Sequence, residues 1–177
     1  MAMSKAAQFK VLVGLGNPGS RYAHTRHNAG WLWLDAQFGT EGYEFNKYGN
    51  YEFKHSSKDG DNFIIVKPQT FMNASGAAAS YALRQFGITA SQLIVVHDEV
   101  DLEIGEFKYS CGRGDGGHNG IKSITKLLGT NEYCRLRLGV RPAEASPQTK
   151  ADTYVLNRFR DNELELLNQI SLSSINS

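Results

Sequence analysis

The chain has 177 residues, of which 41% are hydrophobic and 21% charged, with a formal net charge of +1. That size and balance suit one soluble globular domain with a single core, and no run approaches the roughly 18 apolar residues of a membrane span. So small a charge speaks against a surface that coats DNA along its length, yet leaves room for gripping a few phosphates at one place. The N-terminal Met1-Ala2-Met3-Ser4-Lys5 lacks the apolar centre of a signal peptide, so a cytoplasmic location is expected. Cys111 and Cys134 are too few for a disulfide framework and match no zinc spacing, and both read as inert thiols.

Residues 1–8 read as a loose end. Val11-Leu12-Val13 predicts a buried strand over about Phe9–Leu15, broken by Gly14-Leu15-Gly16-Asn17-Pro18-Gly19. The letters match the dinucleotide fingerprint Gly-x-Gly-x-x-Gly, but in that motif the helix starts within the glycines. Here Pro18 and a polar stretch, Ser20 to Asn28, postpone it, and the nearest acidic candidate, Asp35, falls inside the helix. Trp31, Leu34 and Phe38 space that helix over about Ala29–Phe38, with Gly39 closing it.

Tyr43 to Lys58 alternates aromatic and polar residues, a half-exposed strand. The turn Lys58-Asp59-Gly60-Asp61 leads to its hairpin partner, Asn62–Val66, which ends before Pro68. An Ala-rich helix follows through Phe86 to Gly87, with Asn73 or Ser75 placed to cap it. Leu93–His97 is the most apolar β-branched run, a central strand that stops at Asp98. Asp98 resembles a magnesium-holding aspartate, but the chain has no phosphate loop, and a solvated turn is its ordinary reading.

Glu106–Tyr109 predicts a short strand. The glycine-rich Ser110–Gly120 then suits a mobile lid or substrate-gripping loop, against the plainer reading of a connection. His118 and Asn119 open a helix with apolar Ile121, Ile124, Leu127 and Leu128, and its N-terminus is suited to an anion. Arg135–Val140 alternates as a strand with one wet face. Residues 143–150 are a loop, Tyr154–Leu156 a short ordered segment, Asp161–Ile170 a last helix, and 171–177 a loose Ser-rich tail. The sum is one catalytic domain over residues 1–177 of α/β class: a twisted, mixed, mostly parallel sheet flanked by helices.

In such sheets functional groups gather beyond the carboxyl ends of the strands. Asn17 to His27, Met72-Asn73 and Asp98 all meet that condition. A neutral histidine beside a carboxylate suits general-base work near neutral pH, and asparagine amides can face a developing oxyanion without adding charge. With no G-x-S-x-G elbow the base would activate water, which points to hydrolysis of an ester or amide. A metal-dependent alternative would use His24, His27, His97 and Asp98, but no ligand spacing such as H-E-x-x-H is present, so no metal is expected.

Four segments carry a resemblance: G-L-G-N-P-G-x-x-Y-x-x-T-R-H-N-x-G (Gly14–Gly30), K-P-x-T-F-M-N-x-S-G (Lys67–Gly76), H-D-E-x-D (His97–Asp101) and G-G-H-N-G (Gly116–Gly120). In this order they resemble bacterial-type peptidyl-tRNA hydrolase, and R-L-R-L-G-V and Y-V-L-x-R-F extend the likeness almost to the end. The resemblance implies a monomeric, cofactor-free α/β enzyme that cleaves the ester between a peptide and the 3′ end of tRNA. Its partner would be peptidyl-tRNA, with no membrane and no DNA involved. By position it makes His27 the catalytic base, Asp98 its support, and Asn73 the group that holds substrate near the ester. Asn17 would discriminate blocked from free aminoacyl ends. Tyr22, Phe71 and Asn119 would contact the substrate or the tRNA end, and Met72 would line the cleft. Lys108 and Arg137, with Arg135, are the candidates for phosphate. The chain departs from the pattern at Gly139-Val140-Arg141-Pro142, which lacks a second glycine, and at Glu106, where the family has a basic residue.

Overall fold

The computed structural model describes residues 9–175. Seven strands, β1 (Lys10–Gly14), β2 (Glu44–Asn46), β3 (Tyr51–Lys58), β4 (Asp61–Pro68), β5 (Leu93–Glu103), β6 (Phe107–Cys111) and β7 (Cys134–Arg141), form one sheet. Four helices accompany it: α1 (Ala29–Phe38), α2 (Ser75–Phe86), α3 (Asn119–Leu128) and α4 (Asp161–Asn168). The strand order is β2-β3-β4-β1-β5-β7-β6. The centre is parallel, β1 against β4 and β5, and β5 against β7. Antiparallel strands close both sides, β2–β3–β4 on one and β6 on the other. The mixed α/β sheet expected from the sequence is what forms.

Period-2 alternation sorts the strands' side chains onto two faces. Leu12, Ile65, Ile94 and Leu136 point to one core, shared with Trp33 and Leu34 of α1 and Leu167 of α4. Val11, Val13, Ile64 and Val95 point to the other, under Ala78, Ala79 and Ala82 of α2 and Ile121 and Ile124 of α3. The small alanine face lets α2 lie close to the sheet, and Gly87, in the left-handed conformation, ends that helix. At Gly30 a Cβ would stand 2.3 Å from the Val96 carbonyl oxygen, so the first turn of α1 reaches β5 only because this residue is glycine.

Five expectations change. The stretch Tyr43–Lys58 is not one strand but two, β2 and β3, folded back on each other through a turn at residues 47–50. The central strand does not stop at His97 but runs on to Glu103, so Asp98 is a buried strand residue and not a solvated turn. Its pairing with Leu138 of β7 carries the ladder through. Cys111 closes β6 opposite Cys134, and the two are bonded as a disulfide rather than standing as separate thiols. Asn73 caps no helix: it lies in a 3-10 turn, Met72–Ala74, and α2 begins after Ala74 without a side-chain cap. Finally, the tail expected to be loose is packed as far as Ile175, because Leu172 and Ile175 bury themselves in the α1/α4 core. Each such burial is worth about 1.5–3 kcal/mol. The rest of the expected loose ends, 1–8 and 176–177, lies outside the described residues.

Candidate active site

The loop after β1 is held from within and from the far end of the chain. Asn28, fully buried, clamps Asn17 on both sides: the Asn17 amide donates to Asn28 Oδ1 at 2.9 Å, and Asn28 Nδ2 donates to the Asn17 carbonyl at 2.9 Å. Residues 155–159 run alongside. Val155 and Asn157 carbonyls accept from the amides of His27 and Arg26 at 2.8 and 3.0 Å, and the Phe159 amide donates to His24. The Arg26 guanidinium then reaches the Glu163 carboxylate of α4 at 2.8 and 3.0 Å. Both partners are buried, and removing one would strand the other charge at a cost of about 3–5 kcal/mol. His27 therefore sits on a backbone fixed by neighbours on both sides.

Its imidazole meets Asp98 across the sheet rim. Nδ1 lies 2.7 Å from Asp98 Oδ2, and a carboxylate accepts only, so the proton is on Nδ1. Nε2, left unprotonated, has no hydrogen-bond donor among the described residues. The second carboxylate oxygen, Oδ1, accepts from His118 Nε2 at 2.7 Å. His118 in turn uses its Nδ1 lone pair to take the first free amides of α3, Gly120 at 3.1 Å and Ile121 at 3.4 Å. It is the N-cap of that helix, a role more often given to Ser, Thr, Asp or Asn. Asp98 is thus shared by two imidazoles, one facing the hollow and one anchored to a helix.

Electrostatics follow from that sharing. Burial by itself would raise the Asp98 pKa, but the attraction of His118 and His27 and the hydrogen bonds from both rings drive it far below the usual carboxylate range. Asp98 stays ionised at any ordinary pH. For His27, burial is the largest influence and opposes charge, but the Asp98 charge and hydrogen bond together outweigh it and raise the pKa above 6.5. His97, fully buried behind the pair, is held neutral chiefly by burial, with its Nδ1 on the Asp98 carbonyl at 2.7 Å. A hollow of about 220 Å³ opens over this group, lined by His27, Asp98, His118 and Asn119 on one side and by Asp152 and Val155 on the other.

The remaining expected residues fall into two places. Asn17 Oδ1 accepts from the Met72 amide at 2.8 Å, so the first loop holds the turn that carries Met72 and Asn73. Met72 packs beneath the start of α3, where a Cβ on Gly120 would lie 2.7 Å from its sulfur. That contact brings the Met72–Ala74 turn beside Asn119. Asn73 itself is exposed, and no described residue hydrogen-bonds its amide. Tyr22 and Phe71 meet edge to face, with ring centroids 6.3 Å apart, and Phe71 is 58% exposed.

Lys108 and Arg137 stand apart from the histidines. They are directly paired across β6 and β7 and line a second, more open hollow of about 420 Å³ together with Arg113 and Arg135. Arg137 lies 3.6 Å from Glu99. Arg135 is buried, and its guanidinium is committed to the Gly114 carbonyl at 2.7 Å. Of the basic residues here, Lys108 and Arg113 are the exposed ones. Glu99 and Gly116 line both hollows, so the two adjoin.

Sequence reasoning placed His118 only at a helix start and did not join it to Asp98. His27, Asp98 and His118 each offer one ligand atom within 4.8 Å of the others, a trio that can hold a metal ion. Both histidine nitrogens concerned are already engaged with the carboxylate through hydrogen bonds.

Comparison with known proteins gives this geometry a family. The profile of the peptidyl-tRNA hydrolase family matches residues 11–176. The peptidyl-tRNA hydrolase of Trichlorobacter lovleyi is 42% identical over 163 residues, 90% of this chain and 82% of that protein. That of Rickettsia bellii is 40% identical over 164 residues, 90% and 85%. A crystal structure of peptidyl-tRNA hydrolase from Acinetobacter baumannii superimposes with a TM-score of 0.77 at 31% identity, covering 94% of this chain and 84% of that one. With a matching profile over nearly the whole chain, relatives at about 40% identity and the same fold, the chain belongs to the peptidyl-tRNA hydrolase family, enzymes that act on an ester bond.

Proposed function

We propose that the chain frees tRNA from peptides released early by the ribosome, with His27 as the base that activates water. The observation that carries this reading is the bond between His27 Nδ1 and the ionised, buried Asp98, which leaves Nε2 as a lone pair beside an open hollow. Water attacks the ester carbonyl as Nε2 takes its proton. The oxyanion that forms is met by an asparagine amide, from Asn73 or Asn119. Collapse releases the peptide as a carboxylate, and the imidazolium returns the proton to the departing 3′ oxygen. Asp98 favours the imidazolium in between without itself becoming protonated.

Specificity for a blocked amino end has a physical basis here. Asn17, Asn73 and Asn119 are neutral amides that can pair with a peptide bond, whereas a free α-amine brings a charge that none of them can balance. Tyr22 and Phe71 offer aromatic faces for the bases at the tRNA end. Lys108 and Arg137 supply cations for a phosphate of the tRNA body. A cytoplasmic, monomeric enzyme without a cofactor fits this role.

The test is release of the acyl group from N-acetyl-aminoacyl-tRNA, beside unblocked aminoacyl-tRNA, with and without EDTA. Rapid, EDTA-resistant cleavage of the blocked substrate alone is expected. Activity lost to EDTA would convert the His27, Asp98 and His118 trio into ligands and end the general-base account.

A further inference from the structure

We propose that Cys111 and Cys134 form a reversible dithiol–disulfide site that sets how firmly the glycine loop, residues 112–117, is held over the basic hollow. The ligand at that hollow, a tRNA phosphate, rests on the hydrolase reading; the redox site itself does not.

The pair is made by strand register. Cys111 and Cys134 are directly opposite in the β6–β7 ladder, with Cα atoms 4.0 Å apart, and they are bonded. Because the backbone ladder fixes the two positions, the thiols stay face to face when the bond opens, ready to close again. β6 is the last strand of the sheet and Cys111 is exposed, so a small disulfide or dithiol in solution can reach it. In the forward step the two thiols give up two protons and two electrons, and a molecule of glutathione disulfide takes them to become two glutathione thiols. The first thiolate displaces one glutathione to give a mixed disulfide, and the second cysteine displaces the other.

The position gives the bond its consequence. It is the last pair of the ladder, and the next residue enters the loop. Gly112, Gly116 and Gly117 have positive φ, and around Gly114, Gly116 and Gly117 no side chain or backbone approaches within 4 Å of where a Cβ would stand. The loop therefore has little packing of its own and takes its order from its stem. That stem consists of the disulfide, the Gly112 amide on the Tyr133 carbonyl at 3.1 Å, and the Arg135 guanidinium on the Gly114 carbonyl at 2.7 Å. Opening the disulfide removes the covalent member and leaves those two hydrogen bonds, beside the turn at the far end of the loop where Asp115 accepts from the amides of Gly117 at 2.7 Å and His118 at 3.1 Å. Arg113, exposed on the loop and lining the basic hollow, is then less fixed, while His118 remains tied to α3 and Asp98. Binding suffers and chemistry does not.

The experiment compares one preparation in two states, reduced with dithiothreitol or oxidised with glutathione disulfide. Free thiols are alkylated with iodoacetamide and counted by intact mass, and kcat and KM are measured on N-acetyl-aminoacyl-tRNA. The reduced protein should carry two alkyl groups and the oxidised protein none. Reduction should raise KM about three- to tenfold, as one long side chain and its loop must be ordered on binding, with kcat changed less than about twofold on the same grounds. Cys111→Ser should show the reduced KM under both treatments. Two glutathione adducts in place of an internal bond, or equal KM in two mass-verified states, would overturn the proposal. Should neither state cleave the ester, the hydrolase reading fails by itself. Thiol counting and tRNA affinity in the two states then still decide the redox site, and equal affinities overturn it.

Discussion

The two adjoining hollows are built by opposite means. Around His27 the groups are tied to fixed neighbours: Asp98 to two imidazoles, His118 to the amides of α3, and the loop backbone to residues 155–159. Around Lys108 and Arg137 the cations are carried by the edge strand β6, by its neighbour β7 and by a loop of glycines, and Arg137 stands 3.6 Å from Glu99. Proton transfer demands reacting atoms placed to within a fraction of an ångström, whereas a phosphate tolerates a range of approaches. On the proposed function, the difference teaches that rigidity is concentrated around the general base and withheld where a phosphate would be gripped.

Substitutions can break that division. The largest effect should come from His27→Ala, a loss of about 10³-fold or more in kcat, the upper range for one acid–base group. Affinity for tRNA should be unchanged in a filter-binding measurement. A variant with near-normal turnover would remove His27 from the mechanism. Asp98→Asn should cost about 10²-fold in kcat, the lower range for acid–base assistance, because it disturbs the tautomer and removes the charge that favours the imidazolium.

Asp98→Asn also sharpens the comparison through pH. A general base works only when neutral, and the His27 pKa is raised above 6.5. In the wild type kcat/KM should therefore climb with pH through a midpoint above 6.5. Burial lowers this pKa and Asp98 raises it, so removing the Asp98 charge should move the midpoint down. A midpoint that stays in place would mean the limb belongs to another group.

On the basic side, Lys108→Ala and Arg137→Ala should each raise KM by about tenfold at low salt while sparing kcat. Each should also reduce the slope of log KM against log salt by about one. The smallest change is expected for His118→Ala. Loss of the cap should lower stability by about 1 kcal/mol in urea unfolding, with a few-fold fall in kcat as Asp98 loses one of its two donors. If His118→Ala matched Asp98→Asn in kcat, His118 would be more than an anchor.

Elements with local signals were readable from the chain. Gly39 and Gly87 marked the ends of α1 and α2, and the apolar run at Val11–Val13 placed β1. The continuation of β5 has no strong local signal, because its apolar run ends at His97. The alternation Val100-Asp101-Leu102-Glu103 that carries it further is a weaker, half-polar pattern. Leu172 and Ile175, three apart amid serines, were likewise too sparse to announce a packed turn. The site divides the same way. His27, Asp98 and Asn17 could be named because strand ends and family motifs pointed to them. The link from His118 to Asp98, the Cys111–Cys134 bond and the Arg26–Glu163 pair depend on strand register and on packing between distant segments. No local pattern encodes those distances.

The Arg26–Glu163 pair joins residues 137 positions apart. Protein synthesis proceeds from the N-terminus, so the loop bearing His27 leaves the ribosome long before the strip at 155–159 and the carboxylate of Glu163 that hold it. Once Gly120 has been added, the nascent chain carries all four motif segments on an unfinished scaffold. Catalytic competence must then arrive late, only after Glu163 has emerged. A chain cut short before α4 would keep every signature residue and still lack the support that makes them an active site.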